Sequence, residues 1–204
     1  MNHRHPHRQA LAATAVLLVA AGSHLGGCTN AYMESLGHEM RLEPAELLEV
    51  RTREAGESLR DTREALVHLD DALRQFALSP MAGAEHQHTD VQRLAELVQA
   101  AALNARRRLA SVHDVAPSAL ADVPPGSPSA HSIDEHTAAV DAADLALQSL
   151  LQRLDAGLPS LGVSPSPEAA DALREPVRAV LEAIDRAGRT GDRLVRTLES
   201  PRPS

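Results

Sequence analysis

Few side chains in this 204-residue chain have the type and spacing for chemistry. Cys28 is the only cysteine, and a thiol is the one strong nucleophile and acyl acceptor present. His86 and His88 flank Gln87, a spacing that can hold a metal weakly, but no cysteine or second histidine pair joins them at ligand spacing. A solvent-exposed loop over 79–88 is the favoured reading. His136 falls on the apolar side of a helix-like stretch, where a partly buried histidine near a helix start is expected rather than a ligand. Arg106-Arg107-Arg108 is the densest basic spot. It could touch anionic lipid or an acidic partner; cations complementing a nearby helix C-terminus are the favoured account. Carboxylates are many but spread out, and none pairs with His or Ser in a catalytic pattern. No phosphate loop, nucleotide fingerprint or zincin motif occurs. No catalytic, cofactor-binding or metal residue is expected, which leaves Cys28.

The surroundings of Cys28 say what its thiol is for. Residues 1–9 carry Arg4 and Arg8 and no acid. An apolar run from Ala10 to Ala21 follows, then small residues from Gly22 to Gly27, which is the order of an export signal. The run has about a dozen residues, whereas a spanning helix needs roughly 20. Leu25-Gly26-Gly27-Cys28 resembles the bacterial lipobox: the small pair leaves the bond before Cys28 open to a peptidase, and the sulfur takes the diacylglyceryl group. A further acyl chain on the new amino terminus would lift membrane binding above the marginal level of one chain. His3, His5 and His7 leave with the signal. Thr29, which is not Asp, implies the outer membrane. The reading predicts a signal peptide over 1–27 and a lipidated tether over 28–42, at the periplasmic face of the outer membrane. The alternative is a buried free cysteine.

Composition narrows the rest. Loss of Arg4 and Arg8 moves the formal charge from −8 to −10, and an acidic body is a poor nucleic-acid binder. Every basic residue is arginine; there is no lysine. Tyr32 and Phe76 are the only aromatics, which lowers sugar and single-strand binding, since both use stacked rings. A core of Leu, Val and Ala suits closely packed helices.

The elements that would carry these residues read as an all-α, elongated antiparallel bundle over 43–199, with a tail at 200–204. Pro44 suits a first helical turn. From it, Leu48, Thr52, Ala55, Leu59, Thr62, Leu66, Leu69, Leu73 and Phe76 recur at three and four residues, a heptad seam over 44–78. Thr89 and Gln92 form a capping-box pattern for a second helix over 89–112. Its stripe is Val91, Leu94, Val98, Ala101, Ala105, Leu109 and Val112, with a four-four break. The stretch 114–131, with Pro117, Pro124, Pro125 and Pro128, reads as a linker. Ser132 and Glu135 cap a third helix over 133–156, seamed by Ile133, His136, Val140, Ala143, Leu147, Leu150 and Leu154 and stopped by Gly157 and Pro159. Ser166-Pro167 opens a fourth over 167–199, seamed from Ala170 to Leu198, with a kink or break expected before Pro176. At 1.5 Å per residue the outer helices would reach roughly 50 Å and the inner pair roughly 36 Å. The outer pair should then overhang, leaving Leu48 and Leu194 uncovered for a partner.

Cys28-Thr29-Asn30-Ala31-Tyr32, then Met33-Glu34-Ser35-Leu36-Gly37, then an acidic helix closing in Ala72-Leu73-Arg74-Gln75-Phe76, resembles a family of bacterial coiled-coil lipoproteins known only as a domain of unknown function. The resemblance covers residues 28–76 and implies a lipid-anchored coiled coil; it carries over no catalytic residue. The expected role is structural or interactive. The membrane is held through lipid on Cys28, and an envelope protein or a second copy is met through the coiled coil, without catalysis or nucleic acid. The alternative is a periplasmic ligand- or metal-sensing module using His136 or the 86–88 segment.

Overall fold

A helix whose apolar residues recur every three and four positions has one stripe to bury, and four such stripes of similar length can bury one another. The computed structural model describes residues 42–78, 84–163 and 167–200. Cys28, the signal, the tether as far as residue 41 and the tail beyond Ser200 lie outside the described residues. Four helices run through the described residues: α1 (Pro44–Leu78), α2 (Ala84–Ala121), α3 (Pro128–Val163) and α4 (Pro167–Glu199). All belong to one compact unit, Pro44–Ser204. The protein is an all-α bundle, as its periodicity requires.

Cross-helix bonds give the topology. Asn104 and Arg108 of α2 reach Ser58 and Glu54 of α1, so one numbering rises as the other falls. Gln99 and Arg106 of α2 meet Asp155 and Asp144 of α3. Ser132 and His136 of α3 meet Thr197 and Thr190 of α4. Arg63 of α1 meets Asp185 of α4. Each helix is therefore antiparallel to both neighbours. The contacts close a ring, with α1 and α3 each packed on α2 and α4.

The inner helices are longer than their sequence predicts. They have 38 and 36 residues against 35 and 33 for α1 and α4. At 1.5 Å per residue all four span about 50–57 Å. No overhang is left, and Leu48 and Leu194 are fully buried.

Prolines account for much of the difference. The 114–131 linker is mostly helix: α2 continues through Pro117 to Ala121, and α3 starts at Pro128. An interior proline costs about 3 kcal/mol. Around Pro117, however, Ala116 and Ala119 are buried and keep the seam in contact. The register that sets Arg108 beside Glu54 carries this turn alongside the start of α1. The connection shrinks to residues 122–127, where Gly126 takes a φ of 74°, a left-handed turn that glycine adopts without strain.

The predicted capping boxes are displaced as well. Helix α2 begins at Ala84, five residues before Thr89. The start of α3 is capped by Ser127, whose Oγ accepts the Ala130 N–H at 3.2 Å, with Pro128 at the first helical position rather than Ser132 at the cap. Gly157 and Pro159 do not stop α3, which reaches Val163; Pro176 does not break α4. Gly157 serves packing: a Cβ there would fall 2.7 Å from the Leu173 side chain of α4.

The predicted break in the α2 stripe is absent. Its buried positions are Val91, Ala95, Val98, Ala102, Ala105, Leu109, Val112, Ala116 and Ala119, an unbroken three-four series that Val123 of the following turn continues. Ala95 and Ala102 take the places assigned to Leu94 and Ala101. The seams of α1 and α3 are buried throughout as read, and that of α4 from Ala170 to Leu194.

One ion cluster clasps α1 to α4 within this apolar frame. Asp70 is nearly buried and accepts from Arg174 Nε at 2.9 Å, with Arg74 at 3.5 Å. Arg174 also bonds Asp171, and the hydrogen bond to Asp70 raises its pKa further above the ordinary arginine value. Removing Asp70 would strip the mostly covered guanidinium of its main partner.

Leu66→Ala should cost about 2–5 kcal/mol by urea unfolding, the range for emptying a fully buried leucine. Leu145→Ala, at a position 66% exposed, should stay within about 0.5 kcal/mol. Equal effects at the two sites would contradict the bundle. Asp70→Ala should destabilise by about 1–3 kcal/mol through the stranded Arg174, with a smaller loss in Arg74→Ala.

Candidate functional site

The residues singled out from sequence do not converge. Residues 86 and 88 lie within α2, not in a loop, and positions two apart on a helix do not share a face. No group of three or more potential metal-binding side chains occurs among the described residues. Arg106-Arg107-Arg108 lies mid-helix, because α2 runs on to Ala121; the helix-end account of the cluster fails. Two of the three are committed to the bundle: Arg106 grips both oxygens of Asp144 at 2.6 and 3.2 Å, and Arg108 bonds Glu54 at 2.9 Å. The Asp144 hydrogen bond raises the Arg106 pKa. Arg107 remains exposed.

His136 is the exception. Deeper than its sequence position suggests, it is 3% exposed on the inner face of α3. It sits among polar seam residues of two other helices: Thr52 of α1 and Thr190 of α4, both buried. Gly191 of α4 permits this close approach. A Cβ there would lie 3.2 Å from both His136 Cε1 and Thr52 Cγ2.

Thr190 Oγ1 can donate its hydrogen to its own helix, at 3.0 Å from the Ala187 carbonyl and 3.2 Å from that of Arg186. His136 Nδ1 and Thr190 Oγ1 share a hydrogen bond at 3.1 Å, in which the ring donates in one tautomer and accepts in the other. The second ring nitrogen is Nε2. It is buried without a partner, and so is Thr52 Oγ1. Thr62, three seam positions further along α1, shows the usual solution, donating back to the Ser58 carbonyl at 2.8 Å. Burial lowers the His136 pKa to about 4.

Thr52, His136 and Gly191 are among the residues that line a groove of about 410 Å³ between α1 and α4. Ala55, Leu59, Ile184 and Ala187 give it apolar walls, and Gly56 and Gly188 widen it. Arg53, Arg60, Arg63 and Arg189 stand along its edge with Glu57, Asp185 and Asp192. A larger hollow of about 850 Å³ lies where Ala45, the 123–129 turn and Arg196 meet. None of its lining side chains is a buried polar group without a partner. The smaller groove is the better candidate, because unsatisfied buried atoms call for an occupant and empty volume alone does not. Sequence reasoning placed His136 on its seam; grouping it with Thr52, Thr190 and Gly191 needs the register between helices.

The chain matches no protein-family model and no curated protein.

The His136 environment sets a pH dependence. The unfolded ring titrates near 6.5 and the folded one near 4, so between these values the unfolded chain binds the extra proton. Stability is complete above pH 6.5 and falls as pH drops towards 4, by about 3 kcal/mol in all. His136→Asn keeps a donor towards Thr190 but cannot titrate. Urea unfolding from pH 4 to 7.5 should show a shallower slope in that variant; identical slopes would place the proton elsewhere.

Proposed function

We propose that this protein is a bacterial lipoprotein: exported, cut before Cys28, and held by lipid at the periplasmic face of the outer membrane. Its helical body works by contact and not by catalysis. The observation that carries the reading is Leu25-Gly26-Gly27-Cys28 directly after a positive start and a short apolar run, with no second cysteine in the chain. The resemblance of residues 28–76 to coiled-coil lipoproteins supports it. No described helix is long and apolar enough to cross a membrane, which fits attachment by lipid.

The contact role rests on where the polar residues are used. Most of the paired arginines, among them Arg63, Arg106, Arg108, Arg174 and Arg193, join one helix to its neighbour and stiffen the body. The seams are covered within one chain, so an envelope partner or a second copy would meet the outside of the bundle. Leu97 and Leu103 of α2 are about half exposed there, and Leu145 of α3 is more so. A protein tethered at one end and rigid along its length suits a spacer or adaptor.

Cys28→Ala should abolish incorporation of a labelled fatty acid and leave an unprocessed precursor. Maturation at position 28 with continued membrane partitioning would end the lipoprotein reading. A photo-reactive amino acid at position 145, in intact cells, should capture a neighbour, and a lack of adducts there and at 97 and 103 would remove the contact role.

A further inference from the structure

We infer that the outer face of α4 near its C-terminus, which carries Arg186, Arg189, Arg193 and Arg196, docks on the anionic phospholipid headgroups of the membrane that holds the chain. The inference rests on the lipid anchor proposed above, and it says which side of the body meets the bilayer.

The first observation is spacing. The four arginines recur at three, four and three residues, so they share one helix face. Each stands two positions after a buried seam residue: Ile184, Ala187, Gly191 and Leu194. Two positions are about 200° of turn, so the stripe points away from the core. All four arginines are exposed, in a strip about 15 Å long. Asp192 is the only acid between Arg186 and Arg196.

The second is how little of this charge is used. Arg186 and Arg189 have no carboxylate within ion-pair distance among the described residues. Arg196 gives its Nε hydrogen to the Asp192 carbonyl at 3.0 Å, a bond that leaves its charge unneutralised. Arg193 meets Glu135 of α3 at 2.6 Å, in a pair open to water. The helix dipole does not account for the stripe. Its pull on cations fades beyond the last turn, and of the four only Arg196 stands there. Uncovered positive charge on a chain of formal charge −8 is a local preference for anions. A guanidinium fork takes two phosphate oxygens at once, which suits phospholipid headgroups.

The third is place. The stripe lies at the end of the bundle where the chain enters, since Arg53 of α1 bonds Glu199. Cys28 precedes Pro44 by sixteen residues, which reach roughly 55 Å at most. Lipid on Cys28 therefore keeps the stripe near a bilayer, where a weak attraction suffices. Exposed acids stand on the other sides of this end: Glu57 of α1, Asp114 of α2, Asp122 of the turn and Asp134 of α3. The farther half of the α4 face is acidic too, with Glu168, Asp171, Glu175 and Glu182 exposed against Arg178. An anionic surface accepts the stripe and repels that half, so the bundle leans on its entry end and does not lie flat.

The test reconstitutes the lipidated chain in two kinds of vesicle: phosphatidylcholine alone, and phosphatidylcholine with phosphatidylglycerol in equal parts. Flotation reads the anchor. Modification by phenylglyoxal, followed by peptide mass spectrometry, reads each arginine. The chain should float with both vesicles. On the anionic ones Arg186, Arg189 and Arg196 should react slower by roughly fivefold or more, while Arg153, near the far end of α3, reacts alike on both. The protection should vanish in about 1 M salt, where screening leaves a range of only about 3 Å. Arg186→Gln with Arg189→Gln should keep the melting temperature and remove most of the protection at Arg196. If the chain floats but the stripe reacts equally on both vesicles, the docking is wrong and the anchor stands. If the chain does not float with neutral vesicles, the anchor fails and the docking with it. Equal protection on both vesicles that grows with protein density would mean that a second copy covers the stripe, and would overturn the inference.

Discussion

Everything in this bundle depends on the unbroken three-four spacing of its buried residues. Each of α1 to α4 keeps that spacing along its length. A stripe that repeats every 3.5 residues on a helix of 3.6 stays in contact with its neighbours only if the helices wind slightly about each other. Side-chain size then sets how closely they approach. The stripe of α1 is rich in leucine, while that of α2 uses Ala95, Ala102, Ala105, Ala116 and Ala119. Large residues on one helix face small ones on the next, which lets the core fill without voids.

Charge follows from that geometry. Residues flanking a seam face the flank of the next helix, so arginines and carboxylates set there meet across the boundary. Exposed pairs of this kind contribute up to about 1 kcal/mol each. Their larger effect is on register: a slip of one turn would separate Arg108 from Glu54 and Arg174 from Asp70. The His136–Thr190 bond adds the same demand inside the core, where a misplaced polar group is costlier than at the surface.

Much of this is legible in the sequence, for a physical reason. Leu, Ile and Val spell out the seams of α1, α3 and α4, and burial follows them residue by residue. In α2 the neighbours Leu94 and Ala95 compete for one position. Hydrophobicity favours the leucine, yet the partner helix admits the alanine. Prolines mislead in the same way. Pro117, Pro159 and Pro176 each remove one backbone bond, a local loss that any window reading treats as an end. Continuing the seam brings contacts to distant segments, which a window cannot weigh. The groove lies further from view. Its parts come from positions 52, 136 and 188–191, and only register between antiparallel helices joins them.

The even number of antiparallel helices has a mechanical consequence. The chain enters the bundle at Pro44 and leaves it at Glu199 on the same end, where Arg53 bonds Glu199. A pull applied through the segment before Pro44 therefore loads that end alone. Against an anchored C-terminus, the load would peel α1 from α4 one contact at a time and would not shear the two helices along their full length. Peeling needs far less force than shear. The first contacts to part would be those between Arg53 and Glu199, followed by the walls of the groove around Thr52 and Gly191. Tension at the chain's entry would thus reach the groove long before it reached the Asp70 clasp.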